Sequence, residues 1–120
     1  MKVAFSTSGE SLEAPLDSRF GRAPCFLVYD LDSGQARLVD NGTSRASSQG
    51  AGIQAADSVV RAGAGAVVTG HCGPKAFQVL HAAGIKVLSC HAATVGEALD
   101  QYRSGALAER SGAAAAGPHA

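Results

Sequence analysis

The chain has 120 residues, 46% of them hydrophobic and 17% charged, so it is long enough for one hydrophobic core and too short for two ordinary domains. Ten basic and ten acidic side chains give a formal net charge of +0, which argues against a protein built chiefly to bind nucleic-acid phosphate or an anionic membrane surface. No apolar run approaches the roughly 20 residues needed to span a bilayer. Because of the balanced charge and the lack of such a run, neither a nucleic acid nor a membrane is expected as a partner.

The cysteine count and the first residues indicate a reducing compartment. Three cysteines are an odd number, and MKVAFSTSGE lacks the apolar core and cleavage site of a signal peptide. We therefore expect free thiols and a cytoplasmic location.

The first half of the sequence predicts a buried strand, a polar loop and a hairpin. Val3–Phe5 is short and apolar, and a polar loop follows it to about Pro24. Cys25–Asp30 and Ala36–Asp40 read as strands joined by a segment with Asp-Ser-Gly, a hairpin turn signal, so they should be antiparallel neighbours. A stretch rich in glycine, serine, threonine and asparagine then covers residues 41–52.

Helices and strands alternate regularly in the second half. Apolar residues at helical spacing from Ile53 onward predict a helix that ends at Gly63. Ala66–Thr69 and Ile85–Leu88 predict two strands. Between them, residues 74–83 predict a helix with proline in its first turn and glycine after its end.

The last predicted helix has a clear start. The stretch TVGE, from Thr94 to Glu97, matches a capping box in which each of these two side chains satisfies a free backbone donor of the other residue. The helix is predicted to run to about Ser104. Residues 108–120 carry no large apolar side chain that could offset the entropy of ordering, so we predict a folded domain over 1–107 and a disordered tail.

These elements predict a single α/β domain with a five-stranded mixed sheet and helices on its faces. The hairpin supplies antiparallel strands, and the alternating half supplies parallel ones. Right-handed crossovers place the fourth and fifth strands side by side and next to the first. The predicted strand order is 3-2-1-4-5.

Two similar stretches lie where neighbouring parallel strands end. VVTGHCGPKAF begins at Val67 and VLSCHAAT at Val87, and each has an apolar run followed by an adjacent cysteine and histidine. Ligands of such sheets bind beyond the carboxyl ends of the parallel strands. Loops 6–9, 70–73 and 89–93 are therefore expected to meet at one edge of the sheet.

The two Cys-His pairs allow several interpretations. Four ligands of one zinc ion are disfavoured, because adjacent residues tend to point apart and the established patterns use wider gaps. A redox pair of Cys72 and Cys90 is geometrically possible, although no C-x-x-C is present. A cysteine at a strand end is also often a small buried hydrophobe, which is the expectation for Cys25.

The backbone of these loops predicts an anion site. The segment from Gly70 to Gly73 leads into a helix that starts Pro-Lys, and a second helix starts after Thr94. Free N–H groups and the positive ends of both helix dipoles would converge there. A third helix start at 49–52 could add to them.

The charge distribution favours the same kind of ligand. No acidic residue lies between Asp57 and Glu97, an interval that holds three basic side chains and three of the four histidines. Neither a Walker A loop nor G-x-G-x-x-G after a strand occurs, so common nucleotide chemistry is unsupported.

Catalysis has little support in the sequence. The acidic residues near the carboxyl edge are only Glu10, Glu13 and Asp17. A cysteine-dependent redox or hydrolytic enzyme, using Cys72 or Cys90 with a neighbouring histidine, is the alternative hypothesis, although no third group is identifiable.

Four stretches together resemble the dinitrogenase iron-molybdenum cofactor biosynthesis family. They are DSRFGRAPCFLVYD from Asp17, QGAGIQAAD from Gln49, VVTGHCGPKAFQVLHAAGIKV from Val67 and TVGEALDQYRSGAL from Thr94. The resemblance covers nearly the whole chain to about Leu107.

The resemblance implies a ribonuclease H-like fold and a non-catalytic role. The chain would bind, carry or store an anionic molybdenum-containing metal-sulfur cluster, of the molybdenum-copper-sulfide or the iron-molybdenum type. Its implied partners are proteins that donate or accept that cluster. A molybdenum-copper-sulfide cluster brings its own sulfides and needs no protein thiolate, whereas an iron-bearing one more readily recruits Cys or His.

The predicted cluster site combines three loops at the carboxyl edge of the sheet. Its residues are Ser8, Arg19 and Arg22 from the first loop, Gly70, His71, Cys72, Gly73 and Lys75 from the second, and Cys90, His91 and Thr94 from the third. If protein side chains ligate the metal, the candidates are Cys72, Cys90, His71 and His91. The loops over 6–24 and 41–52 are expected to close over the cluster.

Overall fold

The computed structural model of the chain describes residues 1–41 and 51–110. Its elements in chain order are β1 (Lys2–Thr7), β2 (Cys25–Asp30), β3 (Ala36–Asp40), α1 (Ala51–Arg61), β4 (Ala66–Thr69), α2 (Pro74–Ala82), β5 (Lys86–Ser89), α3 (Val95–Ser104) and β6 (Ala108–Arg110). None of the helices in these ranges is long and apolar enough to cross a bilayer.

All the strands belong to one mixed sheet with the order β3-β2-β1-β4-β5-β6. β1, β4 and β5 are parallel, while β2, β3 and β6 each run antiparallel to a neighbour. The predicted order of the first five strands is confirmed. The parallel strands bring the loops after β1, β4 and β5 to one edge.

The predicted count of five strands is wrong. Gly105, in the left-handed conformation with φ 76°, ends α3 and lets the chain turn back, and Ala108–Arg110 pairs with β5. This strand forms through backbone pairing at a sheet edge and buries no large apolar side chain, so periodicity could not reveal it. The remainder of the predicted tail, 111–120, and residues 42–50 lie outside the described residues.

Two hydrophobic cores lie on opposite faces of the sheet. On one face, hereafter the α1–α2 face, Phe20 and Phe26 pack with residues of α1 and α2, and Cys72 belongs to this core. On the other, the α3 face, Phe5 and other residues of the sheet pack against α3, and Cys90 belongs there. The two cysteines of the site prediction therefore point into different cores.

The start of α3 is capped largely as predicted. Thr94 Oγ1 accepts the N–H of Glu97 at 3.1 Å. The carboxylate of Glu97 accepts the N–H of Ala93 at 3.2 Å, one residue before the donor that a strict capping box would use.

Replacing Thr94 with alanine is expected to lower the free energy of unfolding by about 0.5–2 kcal/mol, because the N–H of Glu97 loses its acceptor. Urea denaturation followed by far-UV circular dichroism measures the loss. Thr94→Ser keeps the oxygen and is the matched control. Equal losses in the serine and alanine variants would show that the methyl group, and not the cap, is responsible.

Candidate anion-binding site

Residues 12–20, which we call the strap, cross the carboxyl ends of β4 and β5. Short bridges pair Pro15 with Thr94 and Arg19 with His71. The N–H of Leu16 donates to Ala93 O at 3.1 Å, and the N–H of Phe20 donates to His71 O at 3.0 Å. The strap thus fixes the loops after β4 and β5 relative to each other.

The strap also occupies the start of α3. The N–H of Val95 donates to Ala14 O at 2.9 Å, and the N–H of Gly96 donates to Leu12 O at 2.6 Å. With Glu97 bound to Thr94, the first turn of α3 has no N–H left for a ligand. The expectation that α3 adds free donors to an anion site is therefore wrong, because the carbonyl groups of Ala14 and Leu12, distant in the sequence, accept these N–H groups. Thr94 acts as a cap, and a contact between Thr94 and a ligand stays a prediction.

The starts of α1 and α2 instead face a shared open cavity of about 340 Å³. Its third wall is the loop at Gly21 and Arg22. The lining residues are Gly21, Arg22, Ala51, Gly52, Ile53, Gly73, Pro74, Lys75 and Ala76. The cavity therefore lies on the α1–α2 side of the carboxyl edge, away from α3.

This cavity offers donors and positive charge. α2 begins at Pro74 after the N-cap Gly73, which supplies no side-chain acceptor. Within residues 1–41 and 51–110, the N–H groups of Lys75 and Ala76 make no hydrogen bond, and Lys75 has no ion-pair partner. Among residues 1–41 and 51–110, no acidic residue lines the cavity or occurs in the first turn of either helix. Both helix dipoles and both cationic side chains therefore favour an anion.

Glycines allow the three walls to approach one another. A Cβ on Gly21 would lie 3.0 Å from Gly52 Cα, and a Cβ on Gly52 would lie 3.2 Å from Ala76 Cβ. Gly73 differs, because a Cβ there would meet no atom within 4 Å. A side chain at position 73 can thus enter the cavity without a clash.

None of the three cysteines lines the cavity. Cys25 is a buried structural residue, as predicted: its thiol donates to Thr7 O at 3.3 Å, and burial, with smaller contributions from Asp40 and Glu10, raises its pKa. The thiol of Cys90 is buried and 3.5 Å from Gln101 Oε1.

None of the three cysteines forms a disulfide, and the structure does not bring Cys72 and Cys90 together. In the described part of the chain no group of three or more His, Cys, Asp or Glu side chains is placed to hold a metal ion. Metal ligation by the two Cys-His pairs stays a prediction, since the described residues do not bring these side chains together around one point.

The other predicted site residues divide into three groups. Arg22, Gly73 and Lys75 line the cavity. Ser8, Arg19, His71 and His91 are exposed at the same edge but do not line it. Gly70 has a structural role, because a Cβ there would lie 2.8 Å from Ser18 Cα in the strap.

Sequence reasoning missed Gly21, Ile53 and Ala76 as cavity residues. The helix start proposed at 49–52 was the one available signal, and its described part, Ala51 and Gly52, does line the cavity. The contact between Gly21 and Gly52 joins distant segments and has no local signature.

The chain is similar in sequence and in structure to known proteins. The family model of the dinitrogenase iron-molybdenum cofactor matches residues 1–105. The apo form of the orange protein from Desulfovibrio gigas is similar, with 43% identity, a TM-score of 0.89 and coverage of 92% of this chain and 93% of that one. A NifB-like protein from Thermotoga has 35% identity and a TM-score of 0.80, covering 90% and 91%. An uncharacterized protein of Methanocaldococcus jannaschii is 26% identical over 110 residues, 89% of each chain. The chain belongs to the dinitrogenase iron-molybdenum cofactor family.

Proposed function

We propose that the chain binds and carries an anionic molybdenum-containing metal-sulfur cluster, without catalysing a reaction, in the cavity between α1 and α2. One observation carries the proposal: two helix starts and two basic side chains converge on a cavity whose described lining holds no acidic residue. Family membership and the similarity to the orange protein support it. The cytoplasmic location, the ribonuclease H-like description of the fold and an exchange of the cluster with donor or acceptor proteins are part of the same proposal.

The residues fit a cluster that brings its own sulfides. Such an anion needs hydrogen-bond donors and compensating charge, which the N–H groups of Lys75 and Ala76 and the side chain of Lys75 supply. Arg22 adds a second cation, and the half-exposed Ile53 gives the cavity an apolar margin.

The molybdenum-copper-sulfide type therefore fits better than the iron-molybdenum type. An iron-bearing cofactor recruits Cys or His ligands. Here the thiols of Cys72 and Cys90 lie in separate cores, and no histidine of the described ranges lines the cavity. The two exposed histidines of the edge, His71 and His91, are outside it.

No observation favours the alternative of a cysteine-dependent enzyme. A reactive thiol is accessible and has a depressed pKa. All three cysteines are buried, and the pKa of Cys25 is raised.

Anaerobic reconstitution tests the function. The purified chain is incubated with tetrathiomolybdate and a copper salt, freed of excess reagent by gel filtration, and examined by visible absorption and metal analysis. We expect a charge-transfer spectrum with bound molybdenum and copper. A chain that stays folded and retains no metal under these conditions contradicts the proposal.

The role of the thiols has its own variant. We expect the Cys72→Ala, Cys90→Ala double variant, once shown to be folded by circular dichroism, to take up as much cluster as the parent chain. If the folded double variant retains no cluster, thiolate ligation holds the cargo and the cavity is not its site.

A further inference from the structure

β3 is the most exposed of the longer strands and forms one edge of the sheet. All but one of its five residues are exposed, whereas four of the six in its neighbour β2 are buried. Its second side has no neighbour among the described strands. An edge strand of this kind offers unpaired backbone groups to another chain.

The hydrogen-bond pattern shows which backbone groups face outward. The N–H of Asp30 donates to Gln35 O at 2.8 Å, and the N–H of Asn41 donates to Pro24 O at 2.9 Å. With the register of β2 and β3, these bonds fix residues 35, 37, 39 and 41 as the ones bonded to β2. The N–H and C=O groups of Ala36, Leu38 and Asp40 therefore point away from the sheet.

The side chains of β3 differ between the two faces of the sheet. Arg37 lies on the α1–α2 face, opposite Val28, and lines two shallow cavities of about 200 and 240 Å³. Lys2 and Asp30 also line the first cavity, and Arg61 lines the second. Arg61 is paired with Asp57, whereas Arg37 has no ion-pair partner within the described ranges.

The opposite face of β3 presents an apolar side chain. Leu38 is 42% exposed and lies opposite the buried Leu27 on the α3 face. An apolar side chain placed beside Leu38 on an added strand would continue the row of apolar side chains that runs from Leu27 in the core to Leu38. β3 thus combines outward backbone groups at Ala36 and Leu38, the side chain of Arg37, which has no ion-pair partner in the described part of the chain, and the exposed side chain of Leu38.

We propose that β3 binds an extended segment of a partner protein as an added strand. The segment places an acidic side chain opposite Arg37 and an apolar side chain opposite Leu38. Main-chain bonds to Ala36 and Leu38 give affinity, and the alternating side chains give specificity. This surface is separate from the cavity, so the inference does not depend on the proposed cargo.

A second copy of the chain fits this edge less well. In a regular antiparallel pair, outward-facing residues pair with outward-facing residues. In any symmetric pairing of two β3 strands, Arg37 would therefore face a glutamine, an arginine, a valine or an asparagine, the odd-numbered residues from 35 to 41. Asp40 is even-numbered and lies on the other face, so no register supplies Arg37 with a carboxylate.

A synthetic peptide tests the proposal. The probe is acetyl-Ser-Thr-Val-Glu-Val-Thr-Ser-amide, which reads the same in both directions and so offers Glu opposite Arg37 in a parallel or an antiparallel strand. We expect a titration followed by ¹H–¹⁵N spectra to shift the amides of Ala36 and Leu38 more than those of Arg37 and Val39. A peptide with Lys in place of Glu is expected to bind at least tenfold more weakly.

Two variants give the reciprocal results. Arg37→Glu is expected to reverse the preference between the two peptides, while Lys86→Glu, an exposed charge change elsewhere, leaves it unchanged. Leu38→Pro removes an outward N–H that makes no bond to β2, and is expected to abolish binding of both peptides. Equal binding of the Glu and Lys peptides, shifts centred outside β3, or self-association that protects the β3 amides without peptide would each overturn the proposal.

Discussion

Replacing Gly73 with aspartate is expected to abolish cluster uptake while the chain stays folded. Gly73 has φ −65° and ψ 163°, which any residue adopts, and a Cβ there meets no atom within 4 Å. Aspartate is a preferred N-cap, so its carboxylate would accept the free N–H of Lys75 or Ala76 and raise stability by a few tenths of a kcal/mol. The same carboxylate would repel an anionic cargo.

The loss of uptake should be large. At about 4 Å and an effective dielectric constant of about 20, repulsion between two unit charges is about 4 kcal/mol. Even a fraction of that energy would weaken binding roughly a hundredfold. Titration with the molybdenum-copper-sulfide cluster, followed by visible absorption, measures the effect.

Gly73→Asn is the matched control for this variant. Asparagine caps the same N–H groups and has nearly the same size, but it carries no charge. It should weaken uptake less than aspartate, and the difference between the two variants isolates the charge. If the folded aspartate variant takes up the cluster as well as the parent chain, the start of α2 is not part of the site.

Replacing Phe20 with alanine is expected to lower the free energy of unfolding by about 3–5 kcal/mol. Phe20 is 1% exposed, and its ring centroid lies 5.0 Å from that of Phe26 in the core on the α1–α2 face. Its N–H also binds His71 O, so the same residue attaches the strap to the loop after β4. Urea denaturation measures the loss, which is a large part of the 5–15 kcal/mol typical of a small domain.

Phe20→Leu keeps much of the buried volume and should cost clearly less than the alanine variant. Both variants retain the backbone bond to His71. The difference between their free energies of unfolding therefore measures the lost side-chain volume alone. A loss below about 1 kcal/mol in Phe20→Ala would show that the ring of Phe20 does not stabilise this core.

The fold could be predicted where the signal is local. Alternating and helical patterns identified β2, β3, β4 and α2 closely, and the crossover rule then ordered five strands. β6 escaped because Ala108–Arg110 pairs through the backbone and carries no apolar pattern. The proposed binding surface at β3 could not be predicted either, because which of its backbone groups face outward depends on the pairing of strands in the folded sheet.

The site could be predicted in part for the same reason. The sequence Gly-Pro-Lys marks the start of α2 locally, and that helix start does line the cavity. The occupied start of α3 depends on the carbonyl groups of Leu12 and Ala14, which only the folded strap brings there. The separation of Cys72 and Cys90 into two cores likewise depends on which face each loop turns toward.

Backbone amide shifts on loading with tetrathiomolybdate and copper test the location of the cargo most directly. If the cluster binds between α1 and α2, the largest changes in the ¹H–¹⁵N spectrum will be at Gly52, Lys75 and Ala76. The amides of Val95 and Gly96, already bonded to the strap, will change little. Largest changes at Cys90, His91 and the start of α3, with the start of α2 unaffected, would contradict the cavity as the cluster site.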